Sequence, residues 1–235
     1  MCFSAGASFT AAAVLGTIGV ASLKKVNNRA QLMYGCIPLL FAIQQVSEGL
    51  LWLTLTHFEY GPWKMAATYF FLFFAQFLWP IWIPASLFIM EPDKKRKKIL
   101  SVAVIAGISA SVILAYRLIF NNVNVEVREH HIQYDIETSQ ILILLSSIFY
   151  VIAIITPNFI SSAKGTKAVA YLLLFSLLAT KIFYEVYLIS VWCFFAATTS
   201  VLILRVLKLS HSQLHLTTKK WQLRSFIDRR FRHHV

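Results

Sequence analysis

Seven long apolar runs separated by short polar gaps make up most of the chain, near positions 5–23, 32–55, 65–90, 99–120, 139–157, 167–187 and 190–207. Each is close to the roughly 20 residues a helix needs to cross about 30 Å of hydrocarbon. The pattern predicts an all-α fold, a polytopic bundle of seven transmembrane helices. The second run, IPLLFAIQQVSEGLLWLT over 37–54, is interrupted from within by Gln44, Gln45 and Glu48. Gln44, Glu48 and Trp52 recur every four residues, so about 3.6 residues per turn sets them on one helix face with Gln45 beside it. An ionised carboxylate in hydrocarbon costs several kcal/mol, and this face is therefore expected to point into the protein.

Local signals shape the other runs. The third, MAATYFFLFFAQFLWPIWIPASLFIM, contains Pro80 and Pro84. Each removes a backbone donor and clashes one turn back, which predicts a kink near mid-helix, read either as packing or as the opening of a pocket. Between the fourth and fifth runs, Val123, Val125 and Val127 alternate with polar residues, and Ile132, Tyr134 and Ile136 do so after REHH. Alternation with period two predicts a short β-hairpin within 121–138, either a lid or a plain connector. The stretch 168–207 has neither Gly nor Pro and as one helix would be roughly 60 Å long, twice the hydrocarbon thickness. It is expected to reverse near Tyr187–Ser190, setting Tyr184, Tyr187 and Trp192 at one interface as an aromatic belt. The opening MCFSAGASF has no basic n-region, and charges follow the apolar run, as in a retained first helix rather than a signal peptide. Gly6, Ala12, Gly16 and Gly19 keep that helix thin and suit a place inside the bundle.

Composition fixes the class. The chain is 58% hydrophobic and 14% charged with a mean hydropathy of +0.66, against about 45–50% and 25% for soluble domains. The net charge of +12 is then read by location and not as a nucleic-acid signal. Of the 22 Lys and Arg, all but Lys64, Arg117, Arg128 and Lys181 come after the first, third or fifth run or lie from Arg205 onward. The positive-inside rule makes that side cytoplasmic, with the N-terminus and the hairpin outside. Residues 1–208 form the membrane domain and 209–235 a basic tail. In the tail Leu223, Phe226, Ile227 and Phe231 stand at helical spacing among Arg224, Arg229 and Arg232. It reads either as an amphipathic helix on anionic inner-leaflet lipid or as a disordered basic segment.

The opening MCFSAGASF, the segment FAIQQVSEGLLW with its QQxxEGxxW pattern, and SVWCFFAA late in the chain resemble the signatures of an uncharacterised family of bacterial integral membrane proteins that begin Met-Cys-Phe-Ser-Ala. The likeness spans nearly the whole chain. It implies a multi-pass protein of the bacterial inner membrane and brings no activity with it. Seven helices with the N-terminus outside are shared by rhodopsins, receptors and several lipid hydrolases, so the plan assigns no function. The last run lacks a lysine for a retinal Schiff base, and the histidine set of ceramidase-like hydrolases is missing.

Depth narrows the chemistry. Counted from Leu32 at the inner face, Glu48 lies about 24 Å up a crossing of roughly 30 Å. Arg117, Lys181, Glu185, Cys193 and Cys2 fall at the same outer level, whereas Cys36 lies deep on the inner side. Gln44, Gln45, Glu48, Trp52, Arg117, Lys181 and Glu185 are the candidate pocket, with Glu48 the candidate acid or base. Lys181 and Glu185, four apart, also suit simple mutual neutralisation, and Arg117 suits snorkelling. Cys2 and Cys193 are compatible with a disulfide, with separate buried thiols, or with a transition-metal or haem site completed by His130 or His131. His211 and His215 share a helical spacing but have no acid or cysteine nearby. Three classes of function remain: a binding or sensing bundle for a small or lipidic ligand, an integral membrane enzyme, and a transporter or proton pathway.

The orientation is open to direct measurement. A cysteine introduced within 121–138 is expected to react with an impermeant maleimide in intact cells, and one appended after Val235 is not; labelling of the second would overturn the assignment.

Overall fold

The computed structural model describes residues 4–210 apart from Glu129, without the side chain of Phe58. Cys2, His211, His215 and nearly all of the basic tail lie outside the described residues. Seven helical spans are long and apolar enough to cross a membrane: Ala5–Leu23, Arg29–Thr56, Glu59–Met90, Lys94–Phe120, Gln140–Ile160, Thr166–Phe183 and Glu185–Ser210. The chain is, on that ground, a multi-pass membrane protein.

The first span is α1 (Ala5–Leu23), started by Ser4, whose hydroxyl accepts from Ala7 N at 3.2 Å. The second is α2 (Arg29–Gly35) followed by α3 (Ile37–Thr56), with the break at Cys36 and Pro38 in the first turn of α3, where no donor is needed. α1 packs along α3 by one stripe containing Ser8, Ala12, Leu15, Gly19 and Ser22, and Val14 and Val20 face outward. The helix expected inside the bundle is therefore peripheral. Of its glycines, Gly19 alone is in tight contact, since a Cβ there would stand 2.5 Å from the Leu39 side chain.

The third span departs from a regular α-helix just ahead of its prolines. Between α4 (Lys64–Leu72) and α5 (Trp79–Met90) the segment Phe73–Leu78 is a π-helix. The wider turn relieves the clash of Pro80 with the preceding turn but leaves carbonyls without their usual donors. Neighbouring helices replace those donors, as the absence of water in hydrocarbon requires. Tyr150 of α7 (Gln140–Ile160) donates to Ala75 O at 2.6 Å, and Ser111 of α6 (Lys94–Phe120) donates to Phe77 O at 2.8 Å.

The last reversal comes earlier than Tyr187–Ser190. α8 (Thr166–Phe183) ends at Tyr184, and a 3-10 turn over Glu185–Tyr187 leads into α9 (Leu188–Thr198). Ending there keeps the Lys181–Glu185 ion pair exposed at the helix end instead of carrying Glu185 into the bundle. Strands β1 (Val123–Arg128) and β2 (His131–Ile136) pair antiparallel from Val123 opposite Ile136 to Arg128 opposite His131. The buried side of this ribbon packs with Leu51, Trp52, Phe71, Leu72 and Cys193, and Tyr134 stacks on Phe71 with centroids 5.3 Å apart. A second core, around Tyr34, Ile37, Trp79, Leu87 and Leu207, fills the opposite, lysine-rich end.

The π-turn sets a close approach. A Cβ on Gly107 of α6 would lie 1.8 Å from Pro80 O. Because that obstacle is backbone, Gly107→Ala is expected to destabilise by at least about 2 kcal/mol. A thermal melt in detergent checks this, and an unchanged melting temperature would show that α5 and α6 do not meet there.

Candidate functional site

α3 turns Ile43, Val46 and Leu50 outward and buries Gln44, Gln45, Glu48 and Trp52, which is the division that spacing by four imposes on a helix at a lipid boundary. Glu48 has no exposed surface. Ser190 Oγ of α9 donates to Glu48 Oε1 at 2.5 Å, and Gln45 Nε2 donates to Oε2 at 3.1 Å. One bond comes from the preceding turn of the same helix and the other from 142 residues along the chain. Gln44 Oε1 accepts from Trp79 Nε1 at 2.7 Å, which ties α3 to the helix after the π-turn. Cys193, three residues after Ser190, places its thiol beside Gln44 and within the electrostatic reach of Glu48. Among the described residues, Gln45 Oε1 and Trp52 Nε1 in this cluster have no hydrogen-bond partner.

On the far side of Cys193 lies a cavity of about 460 Å³ between α6, α7, α8 and α9. Arg117 and Lys181 stand on its wall near the ribbon end, Tyr150, Trp192 and Cys193 line it more deeply, and Leu114, Leu177 and Ile189 supply apolar surface. Gln76 reaches it from the π-turn, with Oε1 buried and unpartnered. Glu48 does not line this cavity; Cys193 stands between them. Lys181 pairs with Glu185, and the buried Arg117 Nε has no hydrogen-bond partner among the described residues.

The other end of the bundle holds polar groups that composition gave no reason to notice. Tyr34 Oη and Asn158 Oδ1 are buried with no hydrogen-bond partner among the described residues and border a void of about 30 Å³, room for roughly one water. That void shares Tyr150, Trp192 and Cys193 with the larger cavity. At the lysine-rich surface, Glu91 accepts from Ser162 N and Oγ, both at 2.7 Å, and Arg96 donates to Ile160 O at 2.7 Å. These bonds clasp the α5–α6 and α7–α8 connections together.

The metal-assisted reading finds no support among the described residues: no three His, Cys, Asp or Glu side chains come together to hold an ion. His131 stacks on Tyr187 with centroids 4.6 Å apart and meets Tyr184 edge-on. His130 sits at the ribbon turn with φ 63°. Cys193 and Cys36 are free thiols, and the pairing of Cys2 with Cys193 falls outside the described residues. Ser190 is the site residue the sequence hid, because a serine in an apolar run has no signal until the fold brings it to a carboxylate.

No curated protein and no solved structure matches the chain. A family does: residues 1–216 match DUF6629, described as a family of unknown function, and the chain belongs to that family.

Proposed function

We propose that the protein is a membrane-embedded binding or sensing protein whose ligand occupies the cavity between α6, α7, α8 and α9 and is registered through Cys193 by the Glu48 cluster. One observation carries this reading: Cys193 is on the wall of the cavity and lies one helical turn from Ser190, which donates to Glu48. The Gln45 and Trp52 atoms nearby, without a hydrogen-bond partner among the described residues, support the same conclusion. Each buried polar atom left unpaired costs about 1–3 kcal/mol, which is tolerable where a ligand or water completes it. A volume of about 460 Å³ falls in the range of small-molecule sites. In this reading the ribbon end, with α9's start and the cavity mouth, faces outside a bacterial inner membrane. The lysine-rich end faces the cytoplasm, and the basic tail lies on anionic lipid.

A second reading, an embedded enzyme, draws on the Ser190–Glu48 hydrogen bond, since a hydroxyl held on a buried carboxylate is arranged for proton transfer. A transport route fits less well, because the void toward the lysine-rich end is only about 30 Å³.

Glu48 variants test the site. In Glu48→Gln the new amide still accepts from Ser190, and Gln45 can flip its unpartnered Oε1 toward the new NH2 group; the expected loss is about 1 kcal/mol or less. Glu48→Leu removes the acceptor of both donors, and about 2–4 kcal/mol should be lost. Melting temperatures in lipid nanodiscs, with native mass spectrometry of bound species, measure both effects. If Glu48→Leu matches the parent in stability and in what it carries, the second span is only a packing helix.

A further inference from the structure

The cavity that the proposed function rests on also specifies a ligand class. Arg117 lies in the last turn of α6, about 4.5 Å of helix short of Phe120, and Lys181 lies two residues before the end of α8. Both cations therefore sit at the level where a helix leaves hydrocarbon for headgroups. Below them the wall is apolar, through Leu114, Leu177 and Ile189 to Trp192. Leu178, which also lines the cavity, is exposed on the outer surface of the bundle, where lipid chains lie in a membrane.

The charges are unequal. Lys181 is paired with Glu185, and the only other ion pair among the described residues joins Arg128 to Glu126. Among the described residues no carboxylate pairs with Arg117, and its buried Nε has no hydrogen-bond partner there. A guanidinium half-withdrawn from water in a membrane bundle is costly to leave unpaired, and its planar fork matches a carboxylate or phosphate. From this geometry we infer that the cavity binds a single-chain amphiphile with an oxyanion head, a carboxylate or a phosphate monoester. The head lies on Arg117 with Lys181 beside it, and the chain runs inward to Trp192 and Cys193. Such a molecule keeps in the cavity the depth and direction it has in the leaflet, so it enters sideways from the membrane without turning over.

The full chain in phosphatidylcholine nanodiscs is titrated with tetradecanoate, tetradecyl phosphate, 1-tetradecanol or inorganic phosphate, with melting temperature as the readout. Tetradecanoate carrying a diazirine on its tail maps the contact. One or both charged amphiphiles should raise the melting temperature by several degrees, with crosslinks on α7, α8 or α9, and which of them acts identifies the head. Tetradecanol should bind at least about tenfold more weakly, and inorganic phosphate should do nothing. Arg117→Gln should fold as stably as the parent, since it removes an unpaired charge, and lose the preference for the charged head. Equal stabilisation by tetradecanol, or an unaltered preference in Arg117→Gln, would overturn the oxyanion assignment while leaving the cavity a binding site. Stabilisation by inorganic phosphate alone would overturn the amphiphile. Absence of any response, with no crosslink in the cavity of the parent or of Leu177→Trp, would instead remove the binding reading itself.

Discussion

A polar group inside hydrocarbon has no water to fall back on, so each one must find its partner within the protein. Glu48 is where that constraint binds hardest. Its two carboxyl oxygens take hydrogen bonds from Gln45 and from Ser190, and the second of these fixes α9 against α3 at one depth. With α9 placed, Trp192 can donate to Ser176 of α8 at 3.2 Å, and Cys193 falls between the Glu48 cluster and the cavity. The same rule governs the third span. Pro80 would leave carbonyls bare, the π-turn moves them into reach, and Tyr150 and Ser111 supply the donors.

The two ends of the bundle solve different problems. At the lysine-rich end Glu91 and Arg96 clasp neighbouring connections, and the core beneath them leaves little more than one water's volume. At the ribbon end the two strands cover Trp52, Phe71 and Cys193, yet beside them α6 to α9 stay apart enough to leave a large cavity with Arg117 on its wall, paired with no carboxylate among the described residues. Among the described residues, Gln76 and Arg117 bring buried atoms without a hydrogen-bond partner to the wall of the larger cavity, and Tyr34 and Asn158 bring theirs to the smaller void.

Much of this was legible in the chain. Hydropathy alone gives seven spans, because a run of about 20 apolar residues has few other uses. Spacing by four assigns Gln44, Glu48 and Trp52 to one face of α3, and all three are buried. What stayed hidden depended on contacts far apart in sequence. Nothing local marks Ser190 as the partner of Glu48, or Tyr34 and Asn158 as buried polar groups. Pro80 announces a bend, but whether it is taken up by a kink or a π-turn depends on Tyr150 and Ser111 from other helices. The turn before α9 fell at Tyr184 because an aromatic belt constrains depth only loosely, whereas the exposed Lys181–Glu185 pair sets a firm end to α8.

The central claim is that the space between α6, α7, α8 and α9 is a ligand site backed by the Glu48 cluster. An experimental density map of the protein, extracted with its surrounding lipid and at a resolution that separates side chains, tests this most directly. Elongated density reaching from Arg117 toward Trp192 and Cys193, with Glu48 held by Ser190 behind it, is the expected result. An empty or collapsed cavity, with the Arg117 side chain turned out to the headgroups and Glu48 directed at lipid, would contradict it.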